Sequence, residues 1–231
     1  MADRYWVGGT GTWNGTNTTN WAATSNGSGG QSVPTSADDV FFDANSGTGT
    51  VTVSTTRPCR NLNFTGFAGT FAGSSIVEPY GSITLATSVT WNFTGDIYIS
   101  ATTTGQTIDT KGITLNSAFV VGSRGVGGEW KLLSNLNLLK NLLLNNGTFD
   151  ANGYNVSLTL LSLAAGTKTL NLGSGTWTAS SAVNAWNAST NSAGLTVVPG
   201  TATISLTSAS AKNFLGGGFT WPTLNLSLIH I

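Results

Sequence analysis

The sequence predicts an all-β fold, a parallel β-solenoid (a β-helix) behind a distinct N-terminal capping module, with a β-sandwich as the alternative. Three observations carry this expectation. From about residue 60 onward, short alternating segments recur with little change of texture, and repetition at roughly 10–25 residues points to stacked units. The inward positions are mostly Ile, Leu, Val and Phe of similar size, which suits coils stacked at the spacing of hydrogen-bonded strands. The outward positions are rich in Asn and Thr, which form side-chain hydrogen-bond ladders when rungs stack.

Composition narrows the class from the other side. The 231 residues carry nine Lys+Arg against nine Asp+Glu, a formal net charge of zero. Only 8% are charged, against roughly a quarter in an average soluble domain. There are 30 Gly, 25 Ser, 37 Thr and 22 Asn. Nucleic-acid binding needs a basic face to displace counterions, so it is not expected. A helical bundle needs Glu and Lys at helical spacing, and Glu occurs only as Glu78 and Glu129. No apolar run approaches the roughly 20 residues of a spanning helix, so membrane insertion is not expected. Eight Trp and ten Phe set the chain apart from disordered sequences.

Three segments follow in order. Residues 1–55 form the Trp/Gly-rich capping module, with Trp6, Trp13 and Trp21 expected to bury against the first coil. In it, Val33-Pro-Thr-Ser-Ala-Asp-Asp-Val-Phe-Phe-Asp43 reads as a turn and a short strand, and Gly49-Thr-Val-Thr-Val-Ser54 has the period of two of a half-buried strand. Residues 56–225 form the solenoid coils. Their strands include Asn61–Phe64, Ser82–Leu85, Asp96–Ser100, Gly112–Leu115, Asn155–Leu160, Thr169–Leu172, Thr203–Leu206 and Thr223–Leu226. Asn146-Gly147 and Asn152-Gly153 supply corners that tolerate a left-handed backbone. The leucine-dense stretch 130–145 fits either an amphipathic helix or two strands. Five Asn between 135 and 146 compete for backbone hydrogen bonds and favour the strands. Residues 226–231 resemble an in-frame translation of a sequencing-adapter end, so they are expected to be a non-native tail on a truncated chain, and His230 within them carries no functional weight. An uncapped solenoid end exposes strand edges, so the fragment is expected to associate.

Cys59 is the single cysteine and forms no intramolecular disulfide. The N-terminus lacks the basic and apolar regions of a secretory signal, so synthesis in the cytoplasm is expected. The string Trp6-Val-Gly-Gly-Thr-Gly-Thr-Trp13, with Asn20-Trp21, Val33-Pro34, Ala37–Asp43 and Gly49–Val53, resembles the opening module of repetitive phage virion proteins. It is also similar to autotransporter-type adhesin repeats. Leu170–Thr178, Trp186-Asn187, Leu195–Val198, Ala202–Ile204 and Phe214–Thr220 resemble a repeat of phage tail-associated proteins with β-solenoid bodies.

The resemblance implies a non-enzymatic structural or attachment role, a truncated phage tail-fibre or virion-surface component that presents a host-binding solenoid. It implies residence in the virion, with host cell-surface glycans or other virion proteins as partners, and by analogy alone a homotrimer. The alternatives are the repeat region of a bacterial secreted adhesin, at the cell surface, and a polysaccharide lyase or hydrolase. Glycan cleavage uses grouped carboxylates, and Asp96, Asp109 and Asp150 are isolated in sequence. No cofactor is expected.

Two sets of residues are candidate contacts. An exposed indole stacks on a sugar ring, which singles out Trp130, Trp177 and Trp186, with burial in the core as the competing reading. Asp38, Asp39 and Asp43 form the only local acidic cluster and are the candidates for a Ca²⁺ site, with turn capping as the competing reading. The glycine-rich stretch Val121–Lys131 lacks the Gly-Lys-Ser/Thr of a phosphate loop and reads as a connection between coils. Thr-x-Thr steps at Thr50/Thr52 and Thr201/Thr203 show no regular recurrence and are not taken as an array.

Overall fold

A computed structural model of the chain describes residues 1–210 and 212–226. Short strands wind as a parallel β-solenoid of about nine coils, each coil giving one strand to each of three faces. The first face is a ten-stranded sheet. It begins with Trp21–Ala22, antiparallel to Asp3–Trp6. It continues in parallel through Asp39–Phe41, Leu62–Asn63, Ile83–Thr84, Gln106–Asp109, Glu129–Leu132, Gly147–Asp150, Lys168–Asn171 and Leu195–Val198. The third face is eight-stranded, from Arg57–Cys59 through Val77–Pro79, Ile97–Ile99, Phe119–Val121, Leu142–Leu144, Leu161–Leu163 and Asn184–Asn187 to Asn213–Leu215.

The second face is split. Gly11–Trp13, Thr50–Val53, Thr70–Gly73 and Thr90–Phe93 form a four-stranded sheet. Thr114–Leu115, Leu136–Leu138, Val156–Leu158, Thr176–Ala179, Thr203–Leu206 and Thr223–Leu226 form a six-stranded one. The corner between the first and second faces varies in length along the rod. It spans residues 42–49 and 64–69 in early coils but only 110–113 and 133–135 later. The long corners are filled by Phe42, Phe64 and Phe67, all fully buried, with Phe42 and Phe64 stacked at 4.7 Å. The second-face strands Thr90–Phe93 and Thr114–Leu115 do not pair with each other.

Period-two alternation fixes which side chains go inside. The inner column of the first face runs Val40, Leu62, Ile83, Ile108, Leu132. That of the third face runs Val77, Ile97, Phe119, Leu142, Leu161, Trp186, Phe214. The core is therefore one continuous rod of apolar side chains. The leucine-dense stretch contains no helix. It supplies one strand to each face, Glu129–Leu132, Leu136–Leu138 and Leu142–Leu144, so it makes three strands rather than two. Its Asn residues lie at the corners and outer positions between them.

Corners repeat a local device. After first-face strands, Asp43, Asn63, Asp109, Asp150 and Asn171 each accept a hydrogen bond from the backbone N–H two residues on, at 2.8–3.2 Å. These Asx turns bend the chain through local side-chain to backbone hydrogen bonds. Gly147 (φ 76°), Asn152 (φ 52°) and Gly153 (φ 82°) have the left-handed backbone expected of them. At Gly147 a Cβ would lie 2.3 Å from the Gly128 carbonyl oxygen in the coil below.

The first 55 residues lay down the opening strands of the first and second faces and close the end. Trp6, Trp13 and Trp21 are fully buried. Trp21 meets Trp6 edge-on at 5.1 Å and Trp13 at 5.4 Å, and all three pack on Phe42 of the next coil. The antiparallel strand Trp21–Ala22 covers the edge of Asp3–Trp6, which would otherwise be an open template for pairing. Except for Leu226, the tail 226–231 and its His230 lie outside the described residues.

Candidate functional site

The structure corrects both sets of candidate contacts. Trp130, Trp177 and Trp186 are each 0% exposed. All three occupy inner columns, where an indole fills the rod and offers no face to a sugar. Trp130 stands in register with Phe149. Trp177 donates its indole N–H to the Leu172 carbonyl at 3.1 Å and meets Trp186 edge-on at 5.7 Å.

Asp38, Asp39 and Asp43 turn to different partners. Asp38 accepts from the Thr35 hydroxyl (2.7 Å), the Thr35 N–H (3.1 Å) and the Ala2 N–H (3.0 Å). Burial would raise its pKa, but these hydrogen bonds together outweigh it and hold the carboxyl below the usual range. Asp39 is bidentate with the Arg60 guanidinium. Asp43 shapes the next corner through the Asn45 N–H and the Ser46 hydroxyl. Among the described residues, no three Asp, Glu, His or Cys side chains are grouped to hold a metal ion.

Three of the remaining acids have cationic partners. Asp109 pairs with Lys111 at 2.6 Å, and Asp96 lies 3.5 Å from Lys140. Glu78, only 3% exposed, accepts from Arg124 at 2.5 and 2.9 Å and from the Ser100 hydroxyl at 2.8 Å. Burial opposes its charge, yet the hydrogen bonds from Arg124 and Ser100 prevail and lower its pKa. Arg124 sits in the glycine-rich connection 122–128, which is thereby clasped across the third face to a strand 46 residues earlier. Burial first, then the nearby Asp39 and Glu78 charges, push the Cys59 thiol up, so it stays protonated and packs as an apolar side chain.

The outer faces differ in character. On the second face, Thr50, Thr70 and Thr90 stand in register, as do Thr176, Thr203 and Thr223. Single threonines thus recur in columns that unequal coil lengths hide in the sequence, but the Thr-x-Thr step does not: Thr52 stands in register with Ala72 and then Asn92. The first face carries Asp39, Asp109, Glu129, Lys131 and Asp150 instead.

A groove of about 280 Å³ opens on the first face between two outer columns, lined by Asp39, Phe41, Asn61, Leu62, Asn63, Ser82 and Thr84. One wall is a ladder. The Asn61 amide donates to Asp39 at 2.8 Å, the Ser82 N–H to Asn61 at 2.7 Å, and the Thr107 N–H to the Ser82 hydroxyl at 3.0 Å. The other wall is Phe41, Asn63 and Thr84, with Tyr5 stacked behind Phe41 at 4.6 Å and 13°. Burial raises the Tyr5 pKa, and Asp3, Asp43 and Asp39 add to it, so the phenol stays neutral. Sequence reasoning overlooked this groove. The signal was Val40-Phe41-Phe42, where strict alternation must send one of two adjacent Phe outward. No family model, curated protein or solved structure matches the chain.

Proposed function

We propose that the chain is a non-enzymatic structural segment of an attachment protein, a virion tail-fibre or surface component, in which the solenoid is both spacer and contact surface. The observation that supports this reading is the unbroken parallel pairing of the first face from Asp3–Trp6 to Leu195–Val198 and of the third face from Arg57–Cys59 to Asn213–Leu215. Each coil is hydrogen-bonded to the next, which resists bending and leaves little extended backbone for a protease. Uncharged amide and hydroxyl columns repeat along the outside, so weak contacts to a cell-surface glycan add through multivalency. Fold alone does not fix function, so the reading stands or falls on binding.

The test is adsorption of the purified chain to a panel of bacterial cells and immobilised oligosaccharides, with released sugar assayed in parallel. Saturable retention without sugar release is the expected outcome. Sugar release from capsular polysaccharide would make the protein an enzyme and overturn the proposal. The neighbouring genes give a second check: tail and capsid genes support a virion component, and secretion genes support a bacterial adhesin.

A further inference from the structure

We infer that the first-face groove binds a neutral pyranose glycan, with the sugar chain running along the solenoid axis; this rests on the attachment reading above. Charge sets the ligand class. Asp39 is the only acid in the groove, and Arg60 neutralises it bidentately, so neither a cation nor a free carboxylate meets an uncompensated partner there. The wall chemistry sets the rest. Phe41 offers an apolar ring for the C–H face of a sugar, and the Tyr5 stack holds that ring in place. Asn63 spends its amide oxygen on the Thr65 N–H at 2.8 Å, which fixes the amide and leaves its NH₂ to donate outward. Among the described residues the Thr84 hydroxyl has no hydrogen-bond partner. The opposite wall is already locked by its Asp39–Asn61–Ser82 ladder, so little order remains to be imposed on binding. Donors on successive coils are one strand spacing apart, about 4.8 Å. That is close to the length of a pyranose ring, so consecutive sugars meet consecutive coils.

The experiment uses the full chain, its Asn63→Asp, Thr84→Val and Phe41→Leu variants, and soluble neutral and carboxylate-bearing oligosaccharides, read by calorimetric titration. Asn63→Asp keeps the oxygen that holds the Thr65 N–H and removes the NH₂ donor. Thr84→Val keeps the shape and removes the hydroxyl. Phe41→Leu fills much of the space without the ring. Each variant is expected to lose about tenfold in affinity for neutral oligosaccharides, with its thermal midpoint within a few degrees of the parent. Equal binding by parent and all three variants overturns the groove while the attachment reading stands. Binding of carboxylate-bearing sugars alone overturns the neutral class. No binding of any glycan overturns the groove and the glycan-attachment reading together.

Discussion

Buried side chains decide the stability of a rod this thin. Trp177 fills the second-face inner column between Val156 and Ile204, meets Phe149 and Trp186 edge-on across the rod, and is hydrogen-bonded through its indole N–H. Trp177→Ala should cost about 3–5 kcal/mol, the usual range for an aromatic truncated in a core, measured by urea unfolding. Lys168 is the opposite case. It is 1% exposed, and its ammonium donates to the Gly166 and Ala193 carbonyls at 2.8 and 3.2 Å without a carboxylate. Burial lowers its pKa, so the unfolded chain binds this proton more tightly than the folded one. Stability therefore rises with pH between the lowered value and the ordinary lysine value. Lys168→Met should leave the urea midpoint at pH 7 unchanged or higher. Its advantage over the parent should shrink as pH climbs through that window. At this scale the sequence was informative about identity and silent about depth. It placed Trp6, Trp13 and Trp21 inside, but it could not separate a buried Trp130 from an exposed one, because one position in register inverts the side chain.

Strands and corners were more legible, because alternation and Asx chemistry are local. Asn155–Leu160, Thr169–Leu172 and Thr203–Leu206 each mark a strand of the solenoid. The stretch 130–145 was ambiguous because leucine suits both periods, and only the corners at 133–135 and 139–141 divide it. Long-range clasps were not legible at all: nothing local ties Arg124 to Glu78. That clasp gives a pH-dependent prediction. Glu78 has a lowered pKa, so its contribution is fully present above the ordinary glutamate value and is lost as pH falls through the folded value. Arg124→Gln should lower the thermal midpoint at pH 7 by leaving a buried carboxylate without its cation. The gap to the parent should close in acid as Glu78 protonates in both. Amide exchange in 122–128 should quicken in the variant.

For the whole molecule, the ends matter as much as the core, because each coil is stabilised by its neighbours and an end coil has only one. The N-terminal end is closed by Trp21–Ala22 against Asp3–Trp6. Trp21→Ala should release that strand and bare the edge, which concentration-dependent light scattering would register as self-association absent from a charge-neutral control such as Thr50→Ser. The solenoid architecture was readable from repetition and from inward side chains of matched size. The division of the second face was not, since alternation and repetition run on unchanged through the strands on either side of it. Between Thr90–Phe93 and Thr114–Leu115 two walls carry their ladders through and the third carries none. A beam with one wall slit at a single level is no longer equally stiff in every direction. Sideways load will make it hinge there, toward or away from the slit, so the molecule has a crease at a fixed height along its length.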